Sequence, residues 1–275
     1  MPNLRIVHDN AADRAAIVAS STAGGLVAAN LQNDTLGLVH RSAGTSVTYT
    51  LTWPQLEAVG CVALPGCNLS PNAEIRVQVF DAAAGGELLI DTGWRYACPG
   101  AMLGAWDWSQ PLCVNAASSH GLSKASIWFE AVAGRRMIVD LRDPENAAGF
   151  LEVVRLIAGG YFEPRWNASF GAAVTHSDST RNTTAESGDI WSDPGTRLTT
   201  LRFDLAWLGT SDRAHVAEIL RRAGTRRWLF VSLYPEWGDV LLEQDNMVYG
   251  KLKQVPGVGH GSPTLYSTQF DIEGW

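Results

Sequence analysis

The sequence predicts a mainly β protein. An antiparallel β-sandwich is expected over residues 1–165, a polar arm or linker over 166–200, and a smaller β-sandwich with one flanking α-helix over 201–275. Three observations predict this. Alternating, β-branched runs recur at short intervals with turn residues between them. The 275 residues include 27 Gly and 11 Trp but only 18% charged residues, a balance that suits short strands joined by turns better than a helical bundle. A single segment, 211–223, carries helical spacing with capping residues at its ends. With 46% hydrophobic residues the chain has enough apolar material for a core, which excludes wholesale disorder.

Each element follows from local pattern. Residues 3–8 alternate and read as a first strand, whereas 11–43 are rich in Ala, Ser, Gly and Asn with weak periodicity. Ser46–Trp53 is β-branched and alternating, and Pro54 is expected to end it. Cys61–Leu64 is a short apolar run of the kind that is buried on both faces. Asn68–Asn72 is turn chemistry, and Glu74–Asp81 then alternates with Ile75, Val77 and Val79 facing inward and Arg76 and Gln78 outward. Residues 87–92, 125–130, 136–141 and 152–160 are further strands. After the polar stretch 175–200, residues 199–207 alternate again. A helix follows, capped by Thr210 or Ser211, with Asp212 in its first turn and Gly224 as its left-handed stop. Its apolar stripe is expected to be Ala214, Ala217 and Leu220, flanked by Val216 and Ile219. Residues 227–233, 248–252 and 265–273 are the last strands.

The formal net charge of −7 argues against a general nucleic-acid binder, which needs a basic face to displace phosphate counterions. No apolar run reaches the roughly 18 residues of a membrane helix, and the start lacks the pattern of a secretory signal. Neither nucleic acid nor membrane insertion is therefore expected. Cys61, Cys67, Cys98 and Cys113 allow three pairings, and reduced, buried thiols are the expectation for a chain with no export signal.

The search for catalysis is mostly negative. There is no nucleophile elbow, phosphate loop, dinucleotide fingerprint or zinc motif, and the six histidines are scattered. Asp140, Asp143 and Glu152 could supply a glycosidase pair, but any acidic protein offers such pairs. Two features stand out. Asn30, Asn33 and Asp34 offer oxygen ligands for a structural calcium ion, or form an Asx-rich turn. Trp94, Tyr96, Trp106 and Trp108 could stack on sugar faces, or wedge between packed sheets. No other cofactor is expected.

Residues 22–53 resemble a discoidin-like, galactose-binding-like jelly roll. The likeness is carried by Ala29-Asn30-Leu31, Asp34 and Arg41-Ser42 followed by Thr48–Trp53, with His40 in the place of the family's usual Trp. Arg136–Leu141 and Gly149–Leu156 look like that family's late strands. Gly160–Gly171 is similar to a stretch that follows such modules in tail proteins of long-tailed bacteriophages. Phe203–Trp207, Asp212-Arg213, Gly224–Arg227 and Val231–Pro235 resemble the strand-helix-strand of tail-ring subunits.

The resemblance implies a non-catalytic structural protein of a phage tail tip or baseplate, of the distal-tail kind, that contacts itself in a ring and other tail proteins such as the tail tube and baseplate hub. It implies a virion location after assembly in the host cytoplasm, and contact with host-surface carbohydrate. The polar stretch is long for a connection, so Thr175, His176, Asp178, Arg181, Asp189 and Trp191 are candidates for an arm that orders against a neighbouring subunit. A carbohydrate-binding module or lectin with no structural role is the alternative reading, and a glycoside hydrolase the second alternative.

Overall fold

The computed structural model describes residues 2–98, 123–193, 195–236 and 240–275, with the backbone alone at Val240 and Leu241. The chain forms two compact units. The first is Met1–Glu163 with Ser232–Met247, and the second is Pro164–Val231 with Val248–Trp275.

The first unit is a jelly-roll sandwich organised by two long strands, Ser46–Cys67 and Ser123–Arg142, which pair antiparallel over their length. Each passes through both layers. Residues 46–52 pair with 136–142, and after an irregularity residues 57–67 pair with 123–134. Ala16–Ala19 and Glu74–Phe80 flank the first layer, and Ile157–Gly159 flanks the second. The sequence expectation of separate strands at 46–53 and 61–64, and at 125–130 and 136–141, is corrected here. Pro54 does not end its strand. It falls where the register shifts between Thr52 and Glu57, so its missing N–H costs no ladder bond.

Side chains from both layers form one core. Tyr49, Leu51, Trp53, Val77 and Val139 meet Val59, Val62, Leu64, Ile127 and Ala158 there. The inward register of Glu74–Phe80 is as the alternation requires, with Ile75, Val77 and Val79 at 0% exposure. Trp53 is buried with its indole N–H donating to Ala11 O at 2.8 Å, which ties the 3-10 turn Ala11–Arg14 to the core. Buried Arg155 interrupts the expected strand 152–160. Its guanidinium pairs with Asp13 and Asp34 and donates to Leu31 O, leaving two short strands, Glu152–Val153 and Ile157–Gly159.

Ser232–Met247 belongs to this first unit, not to the C-terminal domain in which the sequence places it. The reason is a buried polar anchor. The Glu243 carboxylate accepts from Ser126 Oγ at 2.9 Å and Trp128 Nε1 at 3.0 Å, and Lys124 Nζ donates to Met247 O at 2.8 Å. Burial raises the Glu243 carboxyl above its ordinary value, and it lowers the Lys124 ammonium to about 8.

In the second unit the strands run in the order Trp228–Ser232, Met247–Leu252, Leu265–Gly274, Arg197–Leu208 and Ala173–Asp178, with Gly259–Ser262 also on Leu265–Gly274. Phe203 and Phe270 are register partners whose rings stack 5.0 Å apart. Gly250 and Gly274 face each other across the sheet. A Cβ on Gly274 would lie 1.9 Å from Tyr249 O, so the close approach demands glycine.

Helix Thr210–Ala223 packs on Arg197–Leu208 and Leu265–Gly274. Gly224 stops it at φ +51°, with its N–H on Leu220 O. Two details differ from the sequence reading. Thr210 is already helical, so Gly209 is the N-cap and no side chain caps the helix. The buried stripe is Val216, Ile219, Leu220 and Ala223, and Ala214 is exposed, because the larger β-branched side chains take the core face.

The polar stretch is not a linker. Ala173–Asp178 pairs with the start of Arg197–Leu208, and Arg181–Thr184 pairs with Ile190–Asp193 as a hairpin. The inward/outward code is missing because almost every side chain in these strands is exposed, so β-propensity of Thr and Val is the one strand signal left.

The helix stripe yields a direct check. In urea unfolding of the full chain, Ile219→Ala should cost about 2–4 kcal/mol, whereas Ala214→Ser should change stability by less than about 0.5 kcal/mol. Equal costs would return the core face to Ala214.

Candidate functional site

Both long strands begin and end at the same end of the sandwich. Ser46 and Glu74 each pair with Arg142, and Cys67 pairs with Ser123. The loops that start there are lashed together by Asp143, a fully buried carboxylate. It accepts from Ser70 N at 2.7 Å, Ser70 Oγ at 2.6 Å and Asn146 Nδ2 at 3.0 Å, while its own N–H donates to Thr45 O. Asn68 adds a second tie, donating to Phe150 O and accepting from Glu152 N. Buried groups this well satisfied fix loop geometry.

On this floor stands a cluster of exposed and half-buried side chains. Glu74 opens the strand Glu74–Phe80 and lies opposite Arg142 on one side and Tyr96 on the other. Cross-strand partners share a face, so the three side chains project together. Arg142 Nε donates to Glu74 Oε2, and the Arg142 guanidinium lies 4.0 Å from the centre of the Trp94 ring. Trp94 is 39% exposed and Tyr96 63%.

A tight turn aims Trp94. Gly93 adopts φ +63°, which other residues rarely take, and its N–H donates to Asp91 Oδ1 at 2.9 Å. Asp91 is in turn held by Arg76, which keeps its carboxyl well below the usual range, with the Gly93 N–H and Gln78 adding to the effect. Thr92 is bonded both ways to Val77 and continues the sheet up to the turn.

The other sequence candidates are placed as follows. Trp106 and Trp108 lie outside the described residues. Asn30 Nδ2 donates to Val39 O, Asn33 Oδ1 accepts from Thr35 N in an Asx turn, and Asp34 has the guanidinium of Arg155 as its cation. Among the described residues no three His, Cys, Asp or Glu side chains gather as a metal site. Asp140 accepts from Thr48 Oγ1 and Glu152 pairs with Arg41, so with Asp143 all three suggested carboxylates have structural partners.

His40, in the place of the family's Trp, is buried. Its Nε2–H donates to Ser21 O at 3.1 Å, and its Nδ1 accepts from Tyr49 OH at 2.8 Å. Burial lowers its pKa, partly offset by the Ser21 carbonyl, so it is a neutral core group and not part of the exposed cluster.

In the second unit, Thr175 and His176 lie on the edge strand opposite Thr200 and Thr199, and Asp178 pairs with Arg197 at 3.3 Å. Arg181 lies opposite Asp193, and Asp189 accepts from Ser187 Oγ near the hairpin turn. Ile190 and Trp191 are 70% and 72% exposed. The first three lie in the seven-stranded sheet, and Arg181 and Trp191 in a separate two-stranded one.

Sequence reasoning singled out Trp94 and Tyr96 but missed Glu74 and Arg142. Both sit at the ends of legible strands, yet their meeting depends on a pairing 68 residues apart.

No family model matches the chain, and no curated protein does. Among solved structures, 56% of the chain is similar to chitosan-binding module 1 of a chitosanase/glucanase from Paenibacillus sp. IK-5, at 14% identity and a TM-score of 0.37 over 100% of that chain. The same share is similar to the family 32 carbohydrate-binding module of Clostridium perfringens NanJ, in complex with galactose, at 10% identity and a TM-score of 0.37 over 98% of that chain. A Ruminococcus gnavus fucosidase in complex with fucose is matched at 10% identity and a TM-score of 0.39, over 27% of its length. Nothing among these comparisons supports a phage tail role.

Proposed function

We propose that the first unit is a carbohydrate-binding module and that Trp94, Tyr96, Glu74 and Arg142 form its ligand platform. The observation that carries this is the juxtaposition of two exposed aromatic rings with a Glu–Arg pair at the loop-bearing end of a rigid sandwich. An indole and a phenol offer flat apolar surfaces to the C–H face of a pyranose. Glu74 can accept from sugar hydroxyls and Arg142 can donate to them, and their mutual bond orients both before a ligand arrives. The role is non-catalytic, because the platform offers one carboxylate and hydrolysis of a glycosidic bond takes two.

A platform this small supports weak binding, with Kd in the range of about 10 μM to 1 mM. On a glycan array followed by calorimetry, the chain should show saturable affinity for at least one sugar. Trp94→Ala should weaken it about tenfold or more with the fold intact. Binding that Trp94→Ala leaves unchanged, or an array with no binder, would refute the platform.

A second reading, a structural subunit of a phage tail tip found in the virion after assembly in the host cytoplasm, is favoured by one observation. The hairpin of the second unit exposes Ile190 and Trp191 on opposite faces, so each face offers a large apolar side chain to a neighbouring subunit. That reading expects a closed oligomer in light scattering, reduced to monomer by Trp191→Ser. A monomer at high concentration would remove its support.

A further inference from the structure

We propose that Cys67 and Cys98 are a disulfide-forming pair, a dithiol under reducing conditions and a covalent clamp across the first unit under oxidising ones. The inference stands whether or not the platform binds sugar. Both cysteines are buried, at 1% and 0% exposure. Cys67 Sγ donates to Ser123 O at 3.2 Å and Cys98 Sγ to Lys124 O at 3.3 Å, so both sulfurs are held at consecutive residues of one strand. Cys67 is also the first cause of the rise in the Cys98 pKa, so the two side chains are neighbours. The backbone on each side is held. Cys67 ends the long strand opposite Ser123 and Val153, and Ala97, beside Cys98, donates its N–H to Ala73 O at 2.8 Å.

Cys61 differs. It lies on the same long strand, opposite Trp128, where burial first, and then the charges of Glu243, Arg5 and Glu236, act on its thiol. The pairing therefore selects Cys67 with Cys98.

A bond between these sulfurs would close a loop of roughly 30 residues, a length at which a cross-link restrains the unfolded chain substantially. That loop contains the whole strand Glu74–Phe80 and the turn bearing Trp94 and Tyr96, so the clamp would pin the aromatic side of the platform to its floor.

The chemistry is thiol–disulfide exchange with a small disulfide such as oxidised glutathione. One cysteine thiolate attacks a glutathione sulfur, which forms a mixed disulfide and releases one reduced glutathione. The second thiolate attacks the protein sulfur of that mixed disulfide and releases the other. Two electrons pass from the cysteine pair to the oxidant, and the two thiol protons end on the two glutathiones. The Cys98 thiol is held well above its ordinary pKa, by neighbouring Cys67 and by burial, so the folded dithiol reacts slowly. The bond forms while the chain folds.

The test is a refolding experiment on the full chain. Denatured, reduced protein is refolded either with excess oxidised glutathione or with reduced glutathione alone. Free thiols are then alkylated under denaturing conditions and counted by mass. Of the four cysteines, two should escape labelling after oxidative refolding, and all four should be labelled after reductive refolding. Peptide mapping should join Cys67 to Cys98. Cys67→Ser or Cys98→Ser should each abolish the protection, whereas Cys61→Ser should leave it. Four labelled thiols after oxidative refolding, a cross-link to Cys61 or Cys113, or glutathione retained on Cys67 or Cys98 would each overturn the proposal.

Discussion

The antiparallel pairing of Ser46–Cys67 with Ser123–Arg142 is the constraint on which the first unit depends. Each strand serves both layers, so one continuous ladder sets the spacing of the sandwich, the contents of its core and the end at which its loops emerge. The irregularities between Thr52 and Glu57 and between Val59 and Cys61 let the ladder turn from one layer to the other. Because the strands return to the end at which they started, Arg142, Glu74, Cys67 and Ser123 arrive together although they are far apart in sequence. The loop floor, the exposed platform and the paired thiols all follow from that return.

Polar groups complete what the ladder starts. Asp143 lashes two loops by bonding Ser70 and Asn146, and Asp91 fixes the turn that aims Trp94. Glu243 fastens a segment that begins 69 positions after the sandwich's main run ends. Each is a carboxylate surrounded by donors, and for Asp143 and Glu243 this is the arrangement in which a buried or half-buried charge is tolerated. Arg155 follows the same rule with opposite sign, neutralised by Asp13 and Asp34. The aspartate that looked like a calcium ligand in the sequence is thereby a counter-ion to an arginine 121 positions later.

Elements with a period-2 code were legible. Glu74–Phe80 has the inward and outward faces that Ile75, Val77 and Val79 dictate, because one side meets the core and the other solvent. Legibility failed where that code fades. Residues 57–67 are buried on both faces over most of their length, so their alternation is gone and continuity with 46–53 cannot be read. The ribbon 173–193 is exposed on both faces, so it too loses the alternation and looks like a linker. The helix was placed correctly, but its stripe was shifted, since spacing alone does not weigh Val216 and Ile219 against alanines. Trp94 and Tyr96 were visible as aromatics, while Glu74 and Arg142 become partners only once the ladder is formed.

The central claim is that sugar contacts the exposed end of the sandwich at Trp94. Its most direct measurement is a nuclear magnetic resonance titration of the indole N–H signals with a glycan that the chain retains. With 11 tryptophans, each assigned by single replacement, the signals report on sites across both units. The account expects a saturating shift at Trp94, while buried Trp53 and Trp128 hold still. A shift at Trp191 or Trp207 with Trp94 unmoved would contradict it.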